Sequence, residues 1–81
     1  MKNSEFNKII SNRIIYLRKE KGLTQEQLAY QSGIAKGGLS EIERGLKEPM
    51  PLTLLKICVG LEISLKEFYD FKEITDFADK L

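Results

Sequence analysis

Residues Thr24 to Gly45, TQEQLAYQSGIAKGGLSEIERG, constrain the fold more than any other part of this chain. Thr24 is a strong helix N-cap, and Gln27, three residues on, is placed to close a capping box with it. Leu28 and Ala29 supply the apolar side of the helix so begun. Gly33 comes nine residues after the cap and can take the left-handed conformation of a tight turn. Ile34 then points inward, and a second short helix is expected over about 36–44. Leu39 and Ile42, three apart, give it one buried edge, and Gly45 ends it. Lys36, Gly37, Ser40 and Glu41 lie elsewhere on its surface. The segment therefore reads as two short helices joined by a tight turn, the second small or polar wherever it faces outward.

The flanks are helical as well. Phe6, Ile9, Ile10, Ile14 and Leu17 recur at three- and four-residue steps, which predicts a helix over about 5–21 that Gly22 stops. Pro51 suits the first position of a helix in which Leu54, Leu55, Ile57, Cys58 and Leu61 are expected to be buried. Ser64 and Glu67 form a second capping box, with Leu65, Phe68 and Tyr69 expected to face the core. Phe71, Ile74, Phe77, Ala78 and Leu81 continue a helical stripe to the end, as a sixth helix or a long fifth. No alternating run suggests a strand. The expected fold is all-α: a five-helix domain over 1–70 with a C-terminal helical extension over 71–81.

Bulk properties remove several function classes. Eighty-one residues fit one small domain, which oligomerisation often supplements. One cysteine and no histidine exclude an intrachain disulfide, a Cys/His zinc site and a His-assisted nucleophile. No base, nucleophile and orienting group come together, so neither a cofactor, a metal nor an enzyme activity is expected. Without an apolar run that could span a bilayer or serve as a secretion signal, a cytoplasmic location is expected. Charge is uneven. Ten Lys/Arg against six Asp/Glu up to Lys56 give +4, and three against six from Ile57 onward give −3, which together make the net +1. That asymmetry suits a phosphate-facing body with an acidic tail, although scattered solvated charges would look the same.

Two short helices around a glycine turn are the layout of a helix-turn-helix, which delivers its second helix into the DNA major groove. Residues 14–69 further resemble the phage repressor and Cro family, also called the xenobiotic-response-element family. The resemblance is carried by LRKEKGLTQEQLA at 17–29, SGI at 32–34, LSEIERG at 39–45, the proline loop at 49–51 and LLKICVGLEIS at 54–64. It implies a sequence-specific transcriptional regulator, repressor-like or restriction–modification-controller-like, bound to double-stranded DNA.

The resemblance also implies residue roles. Ala35, Lys36, Gly37, Ser40 and Glu41 match positions aimed at base edges. Lys36 suits guanine O6 or N7, or a phosphate, and Glu41 either accepts from cytosine N4 or is an exposed salt-bridge partner. Gln25, Arg44 and Lys47 match phosphate-contacting positions, and the two cations equally suit the C-terminal end of a helix dipole. Arg18 and Glu43 match an ion pair bracing the first helix against the third, a geometry that the planar guanidinium fork favours. Two features depart from the pattern. Gly37 and Gly38 stand together in the first turn of the recognition helix, removing side chains that would read bases. They suggest either close backbone approach to DNA or a helix that orders fully on binding. Met50 stands where the family often has a Ser or Thr cap.

A single recognition helix buries little surface, and dimers of the motif read half-sites about 34 Å apart. Phe71, Ile74, Phe77 and Leu81 are therefore expected to form a homodimer seam, the alternative being that they fold back onto the same chain. A second function class uses the same tail differently: an antitoxin-like module masking a protein partner. Cys58 is expected to pack as a small apolar group.

Overall fold

The computed structural model describes residues 2–81, which form six helices and, among the described residues, no strand. They are α1 (Lys2–Glu20), α2 (Gln25–Ser32), α3 (Lys36–Glu43), α4 (Pro51–Leu61), α5 (Leu65–Phe68) and α6 (Lys72–Asp79). No helix is long and apolar enough to cross a membrane among the described residues.

Local chemistry explains most of the boundaries. Thr24 accepts from the Gln27 N–H while the Gln27 side chain accepts from the Thr24 N–H, so the expected capping box is present. Ser64 and Glu67 form the second box in the same way. Gly33 ends α2 at φ 68° and Gly45 follows α3 at φ 73°, both in the left-handed region. Pro51 opens α4 at its first position, behind a Met50 that contributes no side-chain cap. Helix α4 stops at Glu62, the one non-glycine residue with positive φ among the described residues.

One core joins α1 to α5, and α6 packs against it through Ile74. Ile10, Ile14 and Leu17 of α1 meet Leu28 and Ala29 of α2, Leu39 and Ile42 of α3, Leu54, Ile57, Cys58 and Leu61 of α4, and Phe68 of α5. Helices α2 and α4 cross closely where Gly60 faces Ser32. A Cβ on Gly60 would lie 2.9 Å from the Ser32 backbone nitrogen and collide with its hydroxyl. Burial pushes the Cys58 thiol above its ordinary range, consistent with an apolar packing role.

The expected core is corrected at three residues. Leu55 and Leu65, expected in the core, are exposed, and Tyr69 lies at the margin. The apolar stripe of α4 wraps most of the helix, and only its 54/57/58/61 side meets the bundle. The tail folds back on its own chain, the alternative that the sequence left open beside a seam. The chain turns at an extended Phe71 (φ −151°) and α6 returns along α1. Phe77 is buried, its ring 5.7 Å from that of Phe6, and Ile74 packs against the core. Arg13 fastens the turn. It donates from Nε to the Phe68 carbonyl and from Nη2 to the Glu67 carbonyl, each at 2.9 Å, and its guanidinium lies 4.7 Å from the Phe71 ring centroid. Helix α6 thus packs on the bundle, because its apolar stripe finds a partner on α1.

Two substitutions test this packing. Gly60→Ala should destabilise the protein by about 1–3 kcal/mol through overpacking, lowering the melting temperature in a thermal unfolding scan. Phe77→Ala should cost about 3 kcal/mol in urea unfolding, whereas a tail loose in solution would leave stability unchanged.

Candidate nucleic-acid interface

The interface is built around a buried carboxylate. Glu43, in the last turn of α3, has a side chain only 2% exposed. Arg18 of α1 meets it as a fork, Nε on Oε2 at 2.8 Å and Nη2 on Oε1 at 3.0 Å. The remaining guanidinium nitrogen donates to the Leu23 carbonyl at 2.9 Å, in the connection between α1 and α2. Gln25, in the first turn of α2, adds its amide to Glu43 Oε1 at 2.9 Å. One carboxylate and one guanidinium therefore tie α1, the following loop, α2 and α3 together. The geometry agrees with the expected ion pair and adds a third partner. Gln25, expected to reach outward to phosphate, instead holds α2 to α3 in the free protein. Its second amide hydrogen is left for an outside acceptor.

So anchored, α3 buries Leu39, Ile42 and Glu43 and turns its remaining side outward. Ala35 is the N-cap and offers no side-chain acceptor, so the first-turn N–H groups lack the cover that Thr24 and Ser64 give α2 and α5. Ala35, Lys36, Gly37 and Glu41 are exposed, and Ser40 is half-buried. Of the cations expected near phosphate, Arg44 is the exposed C-cap of α3 and Lys47 is exposed in the loop beyond. Lys47 also borders a shallow groove of about 250 Å³ with Gly38, Ile42 and Met50, beside the recognition helix. Lys36 and Lys47 thus flank the outward side of α3, and Glu41 is the acidic exception.

The other assigned residues separate from this face. Phe71, Ile74 and Phe77 belong to the α1–α6 packing, and of the proposed seam only Leu81 is well exposed. Sequence reasoning overlooked Arg13 and the outer face of α4. Leu52, Leu55 and Val59, spaced at three and four residues, are all exposed there. The signal was present as a second apolar stripe beside the buried one, and in a helix apolar nearly all round the two merge.

The brace should be strongly cooperative. Arg18→Met leaves the Glu43 carboxylate buried beside Gln25 alone and should cost about 3–5 kcal/mol in chemical denaturation. Arg18→Met combined with Glu43→Leu should recover most of that loss, because no buried charge is then stranded.

Comparison with known proteins agrees with this architecture. A family model described as helix-turn-helix matches residues 14–68. An HTH-type transcriptional regulator of Sinorhizobium fredii, y4dJ, is 33% identical over 94% of this chain and 99% of its own length. The HTH-type transcriptional regulator SinR of Bacillus subtilis is 38% identical over 90% of this chain and 67% of its own. Among solved structures, the restriction–modification controller protein C.Esp1396I, crystallised as a tetramer with its natural 35-base-pair operator, gives a TM-score of 0.80 at 35% identity. That match covers 89% of this chain and 93% of the controller. The family match spans the braced two-helix unit and the helices that carry it, and the chain belongs to the Cro/C1-type helix-turn-helix family.

Proposed function

We propose that this protein is a sequence-specific DNA-binding transcriptional regulator that acts as a homodimer, with α3 as its recognition helix. The observation that carries the reading is the buried Arg18–Glu43–Gln25 brace, which ties α3 to α1 and α2 while Lys36 and Glu41 are exposed and Ser40 is half-buried. Lys36 and Ser40 offer donors to base edges, while Arg44, Lys47 and the spare Gln25 hydrogen serve the phosphates. The regulators among its relatives, and the controller that binds its operator as a tetramer, support the same reading. The antitoxin-like alternative depended on an available apolar tail, and that tail is packed against α1.

With the tail occupied, the exposed face of α4 and α5 is the better homodimer seam. Leu52, Leu55 and Val59 project from α4 at 64%, 45% and 71% exposure. Leu55 shares a groove with Leu65 and Tyr69, so the exposed apolar face reaches from α4 to α5. Exposed Lys56 and Lys66 balance Glu48 and Glu62 around it, so a second copy can meet the same face without net repulsion.

Selection of bound duplexes from a random pool should return an inverted repeat. On the selected duplex Lys36→Ala should lose roughly tenfold or more in affinity, and Lys47→Ala should reduce the salt dependence by about one ion. Wild-type affinity in Lys36→Ala would remove the first turn of α3 from the interface. Leu55→Glu with Val59→Glu should sediment as a folded monomer; a persisting dimer would place the seam elsewhere.

A further inference from the structure

We infer that Gly37 and Gly38 are specificity-determining residues: their missing side chains let the main chain of α3 lie against the DNA where a methyl group would hold it off. The inference rests on α3 being the recognition helix.

The free protein gives neither glycine a reason. The described glycines with positive φ are Gly22, Gly33 and Gly45, so 37 and 38 have backbone conformations open to any residue. A Cβ built at either position meets nothing within 4 Å. Gly60 is the contrast, since a Cβ there runs into Ser32. The fold therefore needs a glycine at 60 and needs none at 37 or 38. Alanine would favour the helix at both sites, all the more in an eight-residue helix whose N-cap, Ala35, makes no side-chain hydrogen bond. In the isolated chain the pair only weakens α3.

What the pair provides is room, and the room lies on the reading surface. Gly37 is exposed directly after Lys36, and Gly38 borders the groove shared with Lys47. The first turn consequently presents bare backbone between a base-reading lysine and a phosphate-directed one. With no Cβ in the way, the N–H groups there can reach acceptors on the DNA, and the fit of backbone to groove contributes selectivity that side chains at these positions do not. A different role for the glycines, softening α3 so that it orders only on binding, makes the opposite prediction. Alanine would then remove an ordering penalty and tighten the complex.

Gly37→Ala and Gly38→Ala in the full chain separate the two. The melting temperature should rise or hold for each. Affinity for the duplex selected by the wild-type protein should fall at least tenfold, with affinity for an unrelated duplex unchanged. Unchanged or tighter binding to the selected duplex would overturn the inference, and a lowered melting temperature would overturn it by giving the glycines a role in the fold. A wild-type protein that selects no preferred sequence would instead overturn the DNA-binding reading, and this inference with it, before any variant is compared.

Discussion

Three helices of this protein meet at one carboxylate. Glu43 lies almost wholly out of water, and a charge in that position is tolerable only because Arg18 and Gln25 satisfy its two oxygens. Arg18 in turn is held by the Leu23 carbonyl, so the network has little freedom to rearrange. Such a network contributes more to uniqueness than to gross stability. A similar core of leucines would hold the helices together, but it would not dictate the angle at which α3 leaves the bundle. Here α3 cannot rotate or slide without stranding a buried charge. A helix of eight residues with two glycines in its first turn is a poor helix by itself. Its alignment is imposed by the last turn, through Glu43, together with the Leu39 and Ile42 edge. The first turn is thereby placed without a side-chain cap of its own.

The parts of the fold legible in the sequence are those decided by a few neighbouring residues. Both capping boxes, the Gly33 turn and the Pro51 helix start depend on chemistry within four residues and read directly from the chain. The Arg18–Glu43 pair spans 25 positions and was anticipated from family resemblance, because nothing local connects the two residues. Nonlocal packing is where local pattern stops. Leu55 and Leu65 read as core yet are exposed, and Phe77, which reads as a seam or as a fold-back contact, is buried against α1. In each case an apolar residue at helical spacing identified a face that had to be covered without identifying the cover. Gln25 shows the same limit among polar residues: its amide has a partner 18 positions away that local pattern cannot show.

The two apolar sides of α4 are a consequence of size. An 81-residue chain has a small interior, and the 54/57/58/61 side of α4 is enough to close it. The other side continues the same chemistry outward, through Leu52, Leu55 and Val59 to Leu65 and Tyr69. Division of labour between helices follows. Helix α3 is largely polar where it is exposed, α4 is largely apolar there apart from Lys56, and α1 is the long member against which the rest are assembled.

That last property has a mechanical meaning. Helix α1 joins α3 at Arg18 and joins α6 near Glu5 and Phe6, where Lys80 pairs with Glu5 at 2.8 Å. Thirteen residues of helix separate those attachment points, a distance of about 20 Å at 1.5 Å per residue. The helix therefore works as a strut, with the reading element bolted at one end and the chain's last residues moored at the other.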